Sequence, residues 1–475
     1  MESPTLIQRL KIPFKQKREE PEYQPVHTEC IGTNSNDEIR RPVLVLPDDD
    51  SFPDEKDFSW LQYSVFVLLG ISMLWAWNMF LSAAPYFQFR FAENRAILAR
   101  FQSAIISISC TTNLSCTIIL TQLQSKANYP RRIKIGLAIF FVIFSLLSIS
   151  TKYFLGVSTE GYFAFTLITV FFTSIGTGLC QNGTFAFATS IGRPEYIQAI
   201  VTGQGIAGVL PSLAQIVSVL AIPDPDESAT AFEKARIIAK GSSSAALSYF
   251  ITATFISIVT FVTSIPLIRK HSQIPSYDLM DSSRNSQETQ KTKRQVVSMR
   301  VLYKKLGWLA ASIFLCLATS MFFPVFTARI VSVVPEDKAP LILHNTVFIP
   351  LGFLCWNMGD LAGRLTTLSP IRKWRIKQRS LFFFVCLRFV FIPLYFLCNL
   401  GGHGAKINSD IFYLIIVSFG FGFTNGILSS LCLMNAGKYV DLEEREATGG
   451  FMVMNLLAGL TVGSLLSFAV SDVGT

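Results

Sequence analysis

The sequence is poor in charge for its 475 residues: Asp, Glu, Lys and Arg make up only 15% of it, against roughly 25% in an average soluble protein. Hydrophobic residues account for 50%, and the mean hydropathy is +0.43. So few charged side chains would give a soluble enzyme of this length a thin water-facing shell, and so apolar a composition excludes a disordered chain. The composition therefore favours a polytopic membrane protein.

Several motifs of catalysis and energy coupling are also absent. The nine Cys show no CxxC spacing, which argues against a zinc site and a disulfide framework. The four His are scattered, and no Gly-x-x-x-x-Gly-Lys-Ser/Thr loop occurs, which excludes a P-loop pump. We find no convergent acid–base residues either, and so expect neither an enzyme nor a bound metal or cofactor. We attribute the net charge of +9 to basic residues in the loops, which set the orientation of a membrane protein. We therefore expect no nucleic-acid partner.

Long apolar segments recur along the chain, and a bilayer-spanning helix needs about 20 such residues. Eleven segments fit, and together they predict an all-α integral membrane protein whose surroundings are a lipid bilayer. The predicted spans are 60–87, 98–122, 133–156, 162–189, 196–221, 244–268, 306–334, 341–369, 380–399, 411–436 and 446–470.

The polar stretches divide the chain into parts. Residues 1–57 are rich in Pro, Glu and Asp, which predicts a disordered cytosolic tail. Residues 58–268 form an N-terminal bundle of spans 1–6, and residues 306–475 a C-terminal bundle of spans 7–11. The polar segment 269–305 would join them as a cytosolic linker. Two bundles in a 6+5 arrangement suggest a rocking transporter of the major-facilitator kind, although any polytopic protein can have one long loop. The transporter interpretation therefore rests on the polar residues inside the spans.

Basic residues indicate the orientation. With the tail in the cytosol, the interior loops carry about 20 Lys and Arg and the exterior loops about seven. The N-terminus is then cytosolic and the C-terminus lumenal or extracellular. The sequence leaves the membrane open between a vacuolar or lysosomal-type membrane and the plasma membrane.

Span 8 contains the clearest candidate site. Asp360 and Arg364 are four residues apart, so they share one helical face and can pair, and Asn357 lies one turn earlier. Ionisable residues at membrane depth are costly to bury and usually functional. A carboxylate beside a guanidinium can grip a vicinal diol such as a ribose. A purely structural ion pair, or Arg364 reaching toward the interface, is the alternative.

Other polar side chains inside spans are weaker candidates. Trp77 and Asn78 lie too deep in span 1 for an interfacial belt and could stack on a flat ring and bond its edge, although helix packing explains them equally well. The amides that need a partner or a wet cavity are Gln181, Asn182 and Gln204. Arg388 in span 9 is more readily a packing or gating residue than a substrate contact.

In order along the chain, these and other residues resemble the equilibrative nucleoside transporter family (solute carrier family 29), with a fungal vacuolar-type branch as the expected subgroup. The markers are Trp77-Asn78, Pro194-Glu195-Tyr196, Thr202 to Gly208, Asn357 with Asp360 and Gly363-Arg364, Arg388 to Pro393, Thr424-Asn425-Gly426, and Glu446 to Gly450. Each marker is weak alone, and the ordered set is strong.

The resemblance implies a fold and a function. Members are eleven-helix relatives of the major-facilitator fold that move nucleosides, and in some cases nucleobases, down their gradient by alternating access. Facilitated nucleoside transport is therefore our main prediction, with proton coupling left open. A proton-coupled carrier of another small polar solute, such as a sugar, is the alternative.

The resemblance also implies roles for individual residues. The family's sugar-binding pair matches Asp360 and Arg364, and its base-pocket tryptophan matches Trp77. A family glutamine that bonds the base falls on Asn182, with Gln181 adjacent, so the base contact stays open between these two. The apolar walls of the substrate pocket are expected at Leu81 and Phe353.

Overall fold

A computed structural model shows an almost entirely helical chain. The tail predicted at 1–57 lies outside the described residues, as does most of the predicted linker. The structure describes residues 58–124, 127–154, 156–221, 231–272, 297–335, 339–368 and 376–470.

Seven helices within the described residues up to Ser272 are called the N-terminal helix set. Several begin at a side chain that accepts a hydrogen bond from a free backbone N–H of the first turn: Ser59 before α1, Asn94 before α3 and Ser158 before α5. The seven are α1 (Trp60–Ser82), α2 (Ala84–Arg90), α3 (Arg95–Gln122), α4 (Tyr129–Tyr153), α5 (Thr159–Ile191), α6 (Pro194–Ala221) and α7 (Ala231–Ser272).

The C-terminal helix set follows the linker. Its α-helices are α8 (Met299–Ser320), α9 (Phe322–Thr327), α10 (Asn345–Thr366), α11 (Gln378–Leu387), α12 (Phe391–Tyr395), α13 (Gly420–Ala436) and α14 (Arg445–Val470). Short 3₁₀ turns at Leu341–Leu343, Arg388–Val390 and Leu442–Glu444 and a π-helical segment at Phe412–Phe419 complete the set.

Within the described residues, ten helical segments are long and apolar enough to cross a membrane. This confirms the prediction of an all-helical, multi-pass integral membrane protein. The predicted eighth span corresponds to α10, which is not among the ten because polar residues such as Asn357 and Asp360 lower its apolarity. The count of eleven and the 6+5 division therefore stay predictions.

Two predicted spans are interrupted near their C-terminal ends. The span predicted at 60–87 is α1 followed by α2, with a break at Ala83, and the span predicted at 306–334 is α8 followed by α9, with a break at Met321. Each break precedes a proline, Pro85 or Pro324. Because proline has no N–H to donate to the carbonyl four residues earlier, the helix loses a bond there.

The two sets meet along a defined surface. Helix α10 packs on α6, and α14 packs on α5 and α3. The start of α6 meets both the start of α1, where Tyr63 donates to Gln198, and the end of α10, where Gln198 donates to the Arg364 carbonyl. Arg445, at the start of α14, lies against Gly192 at the end of α5. We call the side of the bundle marked by these residues the near side.

Helices α10 and α13 cross with their backbones almost in contact. A Cβ added at Gly426 would overlap the carbonyl of Asp360, and one at Gly422 the carbonyl of Trp356. Gly359 and Gly363 of α10 face backbone carbonyls of Phe419 and Phe423 in the same way. Only glycine permits so close an approach. The crossing brings α13 side chains to within hydrogen-bond reach of Asp360.

Candidate functional site

Asp360 is the centre of the candidate site. It is only 5% exposed, and each of its carboxylate oxygens accepts a side-chain hydrogen bond. Oδ2 accepts from Arg364 Nε at 2.7 Å, and Oδ1 accepts from Asn425 Nδ2 at 2.7 Å. The predicted pairing of Asp360 with Arg364 is therefore present, and it offsets part of the desolvation that burial of either charge requires.

Arg364 joins this carboxylate to the other helix set. Its Nη1 donates to the Val201 carbonyl of α6 at 2.7 Å, while its Nε is bonded to Asp360. The alkyl stem of Arg364 lies next to Gly205, where a Cβ would be 3.1 Å from the Arg364 Cδ atom. The absence of a side chain at Gly205 thus leaves room for the guanidinium to reach both partners.

A relay of side chains extends this contact across α6 to α1. Gln198 Nε2 donates to the Arg364 carbonyl at 3.2 Å and to the Thr202 hydroxyl at 2.7 Å. Gln198 Oε1 accepts from the Tyr63 hydroxyl at 2.7 Å. Helices α1, α6 and α10 are therefore joined on the near side by one continuous set of hydrogen bonds.

Asn357 also reaches across to α6. Its Nδ2 donates to the Ser212 hydroxyl at 3.1 Å and to the Phe353 carbonyl at 2.9 Å, and its Oδ1 lies beside Gly208. Gln204 is buried on the stripe of α6 that includes Val201 and Gly208, three and four residues away. Five predicted residues (Gln204, Phe353, Asn357, Asp360 and Arg364) therefore belong to one α6–α10 region.

Arg388 is 1% exposed and lies within the C-terminal set. Its Nη1 donates to the Cys316 carbonyl at 2.6 Å and its Nη2 to the Ser320 hydroxyl at 2.9 Å. Its guanidinium carbon lies 4.8 Å from the centre of the Phe421 ring. These contacts fit the predicted packing or gating role, and burial removes this side chain from direct contact with a solute.

The predicted α1 and α10 pocket walls differ in their surroundings. Trp77 is partly buried, and Asn78 donates from Nδ2 to the Ala207 carbonyl of α6 at 2.7 Å. Leu81, one turn after Trp77, is 48% exposed. Phe353 packs edge-on against Phe323, with ring centres 5.1 Å apart, within an aromatic cluster of the C-terminal set.

The two amides of α5 occupy different environments. Asn182 is buried on the near side, where its Oδ1 accepts from Arg132 and its Nδ2 donates to the Thr121 hydroxyl at 3.2 Å. Gln181 is partly exposed, yet its Oε1 atom is buried and carries no hydrogen bond within the described residues. Of the two, Gln181 has the acceptor oxygen that no protein donor satisfies within the described residues.

Some important residues were missed as site residues by the sequence analysis. From the sequence, Asn425 was named only as a family marker, and neither Ser320 nor the Val201 carbonyl was named. The available signal for Asn425 was a polar residue between Gly422 and Gly426, in a segment where close helix packing would bury it. A backbone carbonyl such as that of Val201 leaves no signal in a sequence.

The arrangement suits recognition by hydrogen bonding at membrane depth. It combines a carboxylate acceptor and a guanidinium donor at the junction of two helix sets. No group of three or more His, Cys, Asp or Glu that could hold a metal ion occurs among the described residues.

Comparison with known proteins gives a consistent result. A family model described as "Nucleoside transporter" matches residues 167–471. The nucleoside transporter FUN26 of Saccharomyces cerevisiae is 29% identical over 454 residues, covering 88% of this chain and 86% of that protein. Human equilibrative nucleoside transporter 1 is 25% identical over 467 residues, covering 85% and 95%.

Solved structures share the fold at low sequence identity. A major facilitator superfamily transporter, FucP, in the outward conformation matches with a TM-score of 0.55 and 14% identity over 87% of this chain and 92% of that chain. An outward-facing bacterial homologue of the iron transporter ferroportin matches with a TM-score of 0.53 and 13% identity over 88% and 92%. These likenesses confirm the major-facilitator-like architecture.

Proposed function

We propose, from the premise that this chain belongs to the nucleoside transporter family, that it binds a nucleoside between its two helix sets and carries it across the membrane by alternating access. The family is one of transporters rather than enzymes, which agrees with the prediction from sequence. The observation that carries the proposal for the site is the buried Asp360–Arg364 pair at the junction of α10 with α6.

The chemistry of the pair suits a sugar. Each Asp360 oxygen accepts one protein hydrogen bond, and a carboxylate oxygen has two acceptor positions, so one position on each stays open to a hydroxyl group. The Nη2 group of Arg364 takes part in neither of the Arg364 side-chain bonds described above and can donate to a hydroxyl oxygen. Two neighbouring acceptors and a donor match the 2′- and 3′-hydroxyls of a ribose.

The base would lie toward the N-terminal set. Trp77 presents a partly buried indole that can stack on a flat heterocycle. Gln181 offers a carbonyl oxygen that has no protein donor within the described part of the chain. A base with an N–H at its edge would satisfy that oxygen. Asn182 is engaged by Arg132 and Thr121, so we assign the base contact to Gln181 rather than Asn182.

We infer that the near side is closed in this conformation. Arg364 bonds Val201 and Arg445 lies against Gly192, so the two sets are held together there. We propose that transport breaks these contacts as the sets rock apart. Arg364 bonds both the Asp360 carboxylate, which we propose binds the sugar, and the Val201 carbonyl of the other helix set. Sugar binding and closure of the near side therefore involve the same side chain.

We further propose that the near side faces the cytosol, since the interior loops carry most of the Lys and Arg. We propose that the membrane is either a vacuolar or lysosomal-type membrane or the plasma membrane. A fluorescent fusion to the full chain decides between them, and protease access to the 269–305 segment in sealed vesicles tests the orientation.

Uptake by the purified protein in proteoliposomes tests the function. Labelled uridine and adenosine should enter along their gradients, and Asp360→Asn and Arg364→Ala should reduce uptake by about tenfold or more, as expected for bonds to charged groups. Asp441→Asn is the matched control, because Asp441 is an exposed partner of Lys305 outside the site. Normal uptake by both site variants would show that the sugar site is wrong.

The same assay addresses energy coupling and the alternative solute. An imposed pH gradient should leave the final nucleoside level unchanged for a facilitator and raise it for a proton-coupled carrier. Block of uptake by sugars in place of nucleosides would favour the sugar-carrier alternative.

A further inference from the structure

Asn425 connects the candidate sugar site to a second buried cation. It lies on α13, is 1% exposed, and donates from Nδ2 to Asp360 Oδ1. Its Oδ1 accepts from the Ser320 hydroxyl at 2.8 Å. Ser320 in turn accepts from Arg388 Nη2. A continuous chain of side chains therefore runs from Arg388 to Asp360 through the interior of the C-terminal set.

The chemistry of the two ends fixes the direction of this chain. A guanidinium can only donate, and an ionised carboxylate can only accept. The Ser320 hydroxyl has one proton and two acceptors in reach, the Cys316 carbonyl at 2.9 Å and Asn425 Oδ1 at 2.8 Å. The Cys316 carbonyl already receives Arg388 Nη1 at 2.6 Å. The Ser320 proton is therefore best placed on Asn425 Oδ1, which turns the Asn425 NH₂ group toward Asp360.

Helix packing holds Asn425 in this position. It lies between Gly422 and Gly426, which bring the α13 backbone against the carbonyls of Trp356 and Asp360. The side chain is closed off from solvent, so it does not touch a solute in this conformation. An effect of Asn425 on recognition of the sugar hydroxyls would therefore act through Asp360.

We propose that Asn425 is a positioning residue that sets the rotation of the Asp360 carboxylate, and that Arg388 orients Asn425 through Ser320. This inference rests on the proposed sugar site. Arg364 Nε engages only Oδ2 of Asp360, while Asn425 holds Oδ1. Without Asn425 the carboxylate is free to turn and take both oxygens onto the Arg364 fork, as carboxylates commonly do with arginine. After that turn, fewer acceptor positions of Asp360 and fewer donors of Arg364 would be available to the ribose hydroxyls.

The consequence is selectivity for the two ribose hydroxyls. We define hydroxyl discrimination as the inhibition constant of 2′,3′-dideoxyuridine divided by that of uridine, both measured against labelled uridine uptake by the full chain in proteoliposomes. Asn425→Leu should lower hydroxyl discrimination about tenfold, through a weaker affinity for uridine, with little change for the dideoxy compound. Ser320→Ala leaves Asn425 in place but removes the shorter of the two bonds that orient its Oδ1, the other coming from the Cys316 thiol at 3.4 Å. It should lower the ratio two- to threefold.

Two further variants separate positioning from structure. Asn455→Leu is the matched control: Asn455 is also a buried amide of the C-terminal set, but it donates to the Phe451 carbonyl and accepts from Tyr303. Its hydroxyl discrimination should be unchanged. The exchange Asp360→Asn with Asn425→Asp keeps an amide–carboxylate bond and the total charge while moving the carboxylate to α13. It should fold, as judged by size exclusion and thermal melting, yet stay without hydroxyl discrimination.

The outcomes are distinct. A folded Asn425→Leu protein with wild-type hydroxyl discrimination would overturn the positioning role. If Asp360→Asn still abolished discrimination, the sugar site itself would stand. Restored uptake and discrimination in the exchanged double variant would show that the pair is only structural. Should Asn425→Leu not fold, an unchanged ratio in Ser320→Ala overturns the proposal and a lowered ratio supports it. No change in any of these variants, Asp360→Asn included, would overturn the proposed sugar site as well, while the uridine uptake used as the readout would leave the transport function standing.

Discussion

The polar groups at the Asp360 end of the proposed site and those around Gln181 differ in their hydrogen bonding. In the C-terminal set, Asp360, Asn425, Ser320 and Arg388 bond one another, side chain to side chain, in one direction. Among the N-terminal residues predicted to meet the base, Asn182 bonds Arg132 and Thr121, and Asn78 bonds a backbone carbonyl. The Gln181 Oε1 atom is buried with no partner in the described part of the chain. The carboxylate of Asp360 is held by surrounding side chains, whereas the Gln181 oxygen has no protein donor within the described residues.

This difference has a consequence for selectivity. Groups held rigidly before binding lose little entropy when they engage a ligand, and they reject a ligand that leaves them unpaired. Groups that can rotate adapt to several partners at a lower gain in affinity. We therefore expect steep discrimination at the sugar and shallow discrimination among bases.

The largest expected effect is a loss of stability when α10 and α13 are forced apart. Gly426→Ala places a Cβ against the Asp360 carbonyl, which must move. Overpacking of this kind costs about 1–3 kcal/mol, and more when backbone is the obstacle, so the melting temperature and the yield of folded protein should fall strongly. Gly307→Ala on α8 is the control, because nothing lies within 4 Å of its added Cβ. Equal stability of the two variants would contradict the tight crossing.

A smaller effect is expected from the aromatic residue at the base end. Trp77→Ala should weaken uridine and adenosine affinity by up to about tenfold, since stacking contributes roughly 0.5–1.5 kcal/mol beyond buried area. Hydroxyl discrimination should stay at its wild-type value, because the C-terminal network is intact. Inhibition constants for the ribosides and the dideoxy compound measure both. Trp308→Ala, at an exposed tryptophan of α8, serves as control. A loss of hydroxyl discrimination in Trp77→Ala would show that the two ends are not independent.

The smallest effects should distinguish the neighbouring amides of α5. Gln181→Ala should change the ratio of adenosine to uridine affinity a few-fold, because it removes one neutral hydrogen-bond partner of the base. Asn182→Ala should leave that ratio unchanged and lower the melting temperature, since its bonds to Arg132 and Thr121 are lost. The opposite assignment of effects would place the base contact at Asn182.

The sequence was most informative where a pattern spans many residues. Apolar runs predicted the helices, and the four-residue spacing of Asp360 and Arg364 predicted their pairing, which the structure contains. The helix breaks at Ala83 and Met321 were not predicted, although Pro85 and Pro324 gave the signal. Composition therefore predicted the ends of the spans only approximately.

Contacts between distant parts of the chain could not be read from spacing. The bond from Asn425 to Asp360 joins residues 65 positions apart, and the Arg364 bond to Val201 joins residues 163 apart. Both depend on which helices pack together, and the second uses a backbone carbonyl. The different environments of Gln181 and Asn182 likewise come from the position of Arg132 on α4, which the order of residues in α5 does not encode.

The central claim is that Asp360 and Arg364 hold the ribose hydroxyls. Its most direct test is a cycle that removes the carboxylate and the hydroxyls separately and together: binding of uridine and 2′,3′-dideoxyuridine to wild type and to Asp360→Asn. We predict that Asp360→Asn weakens uridine binding about tenfold or more and leaves dideoxyuridine binding nearly unchanged, because the lost bonds are the ones the hydroxyls make. Equal weakening of both ligands would contradict the claim and place Asp360 outside the sugar contact.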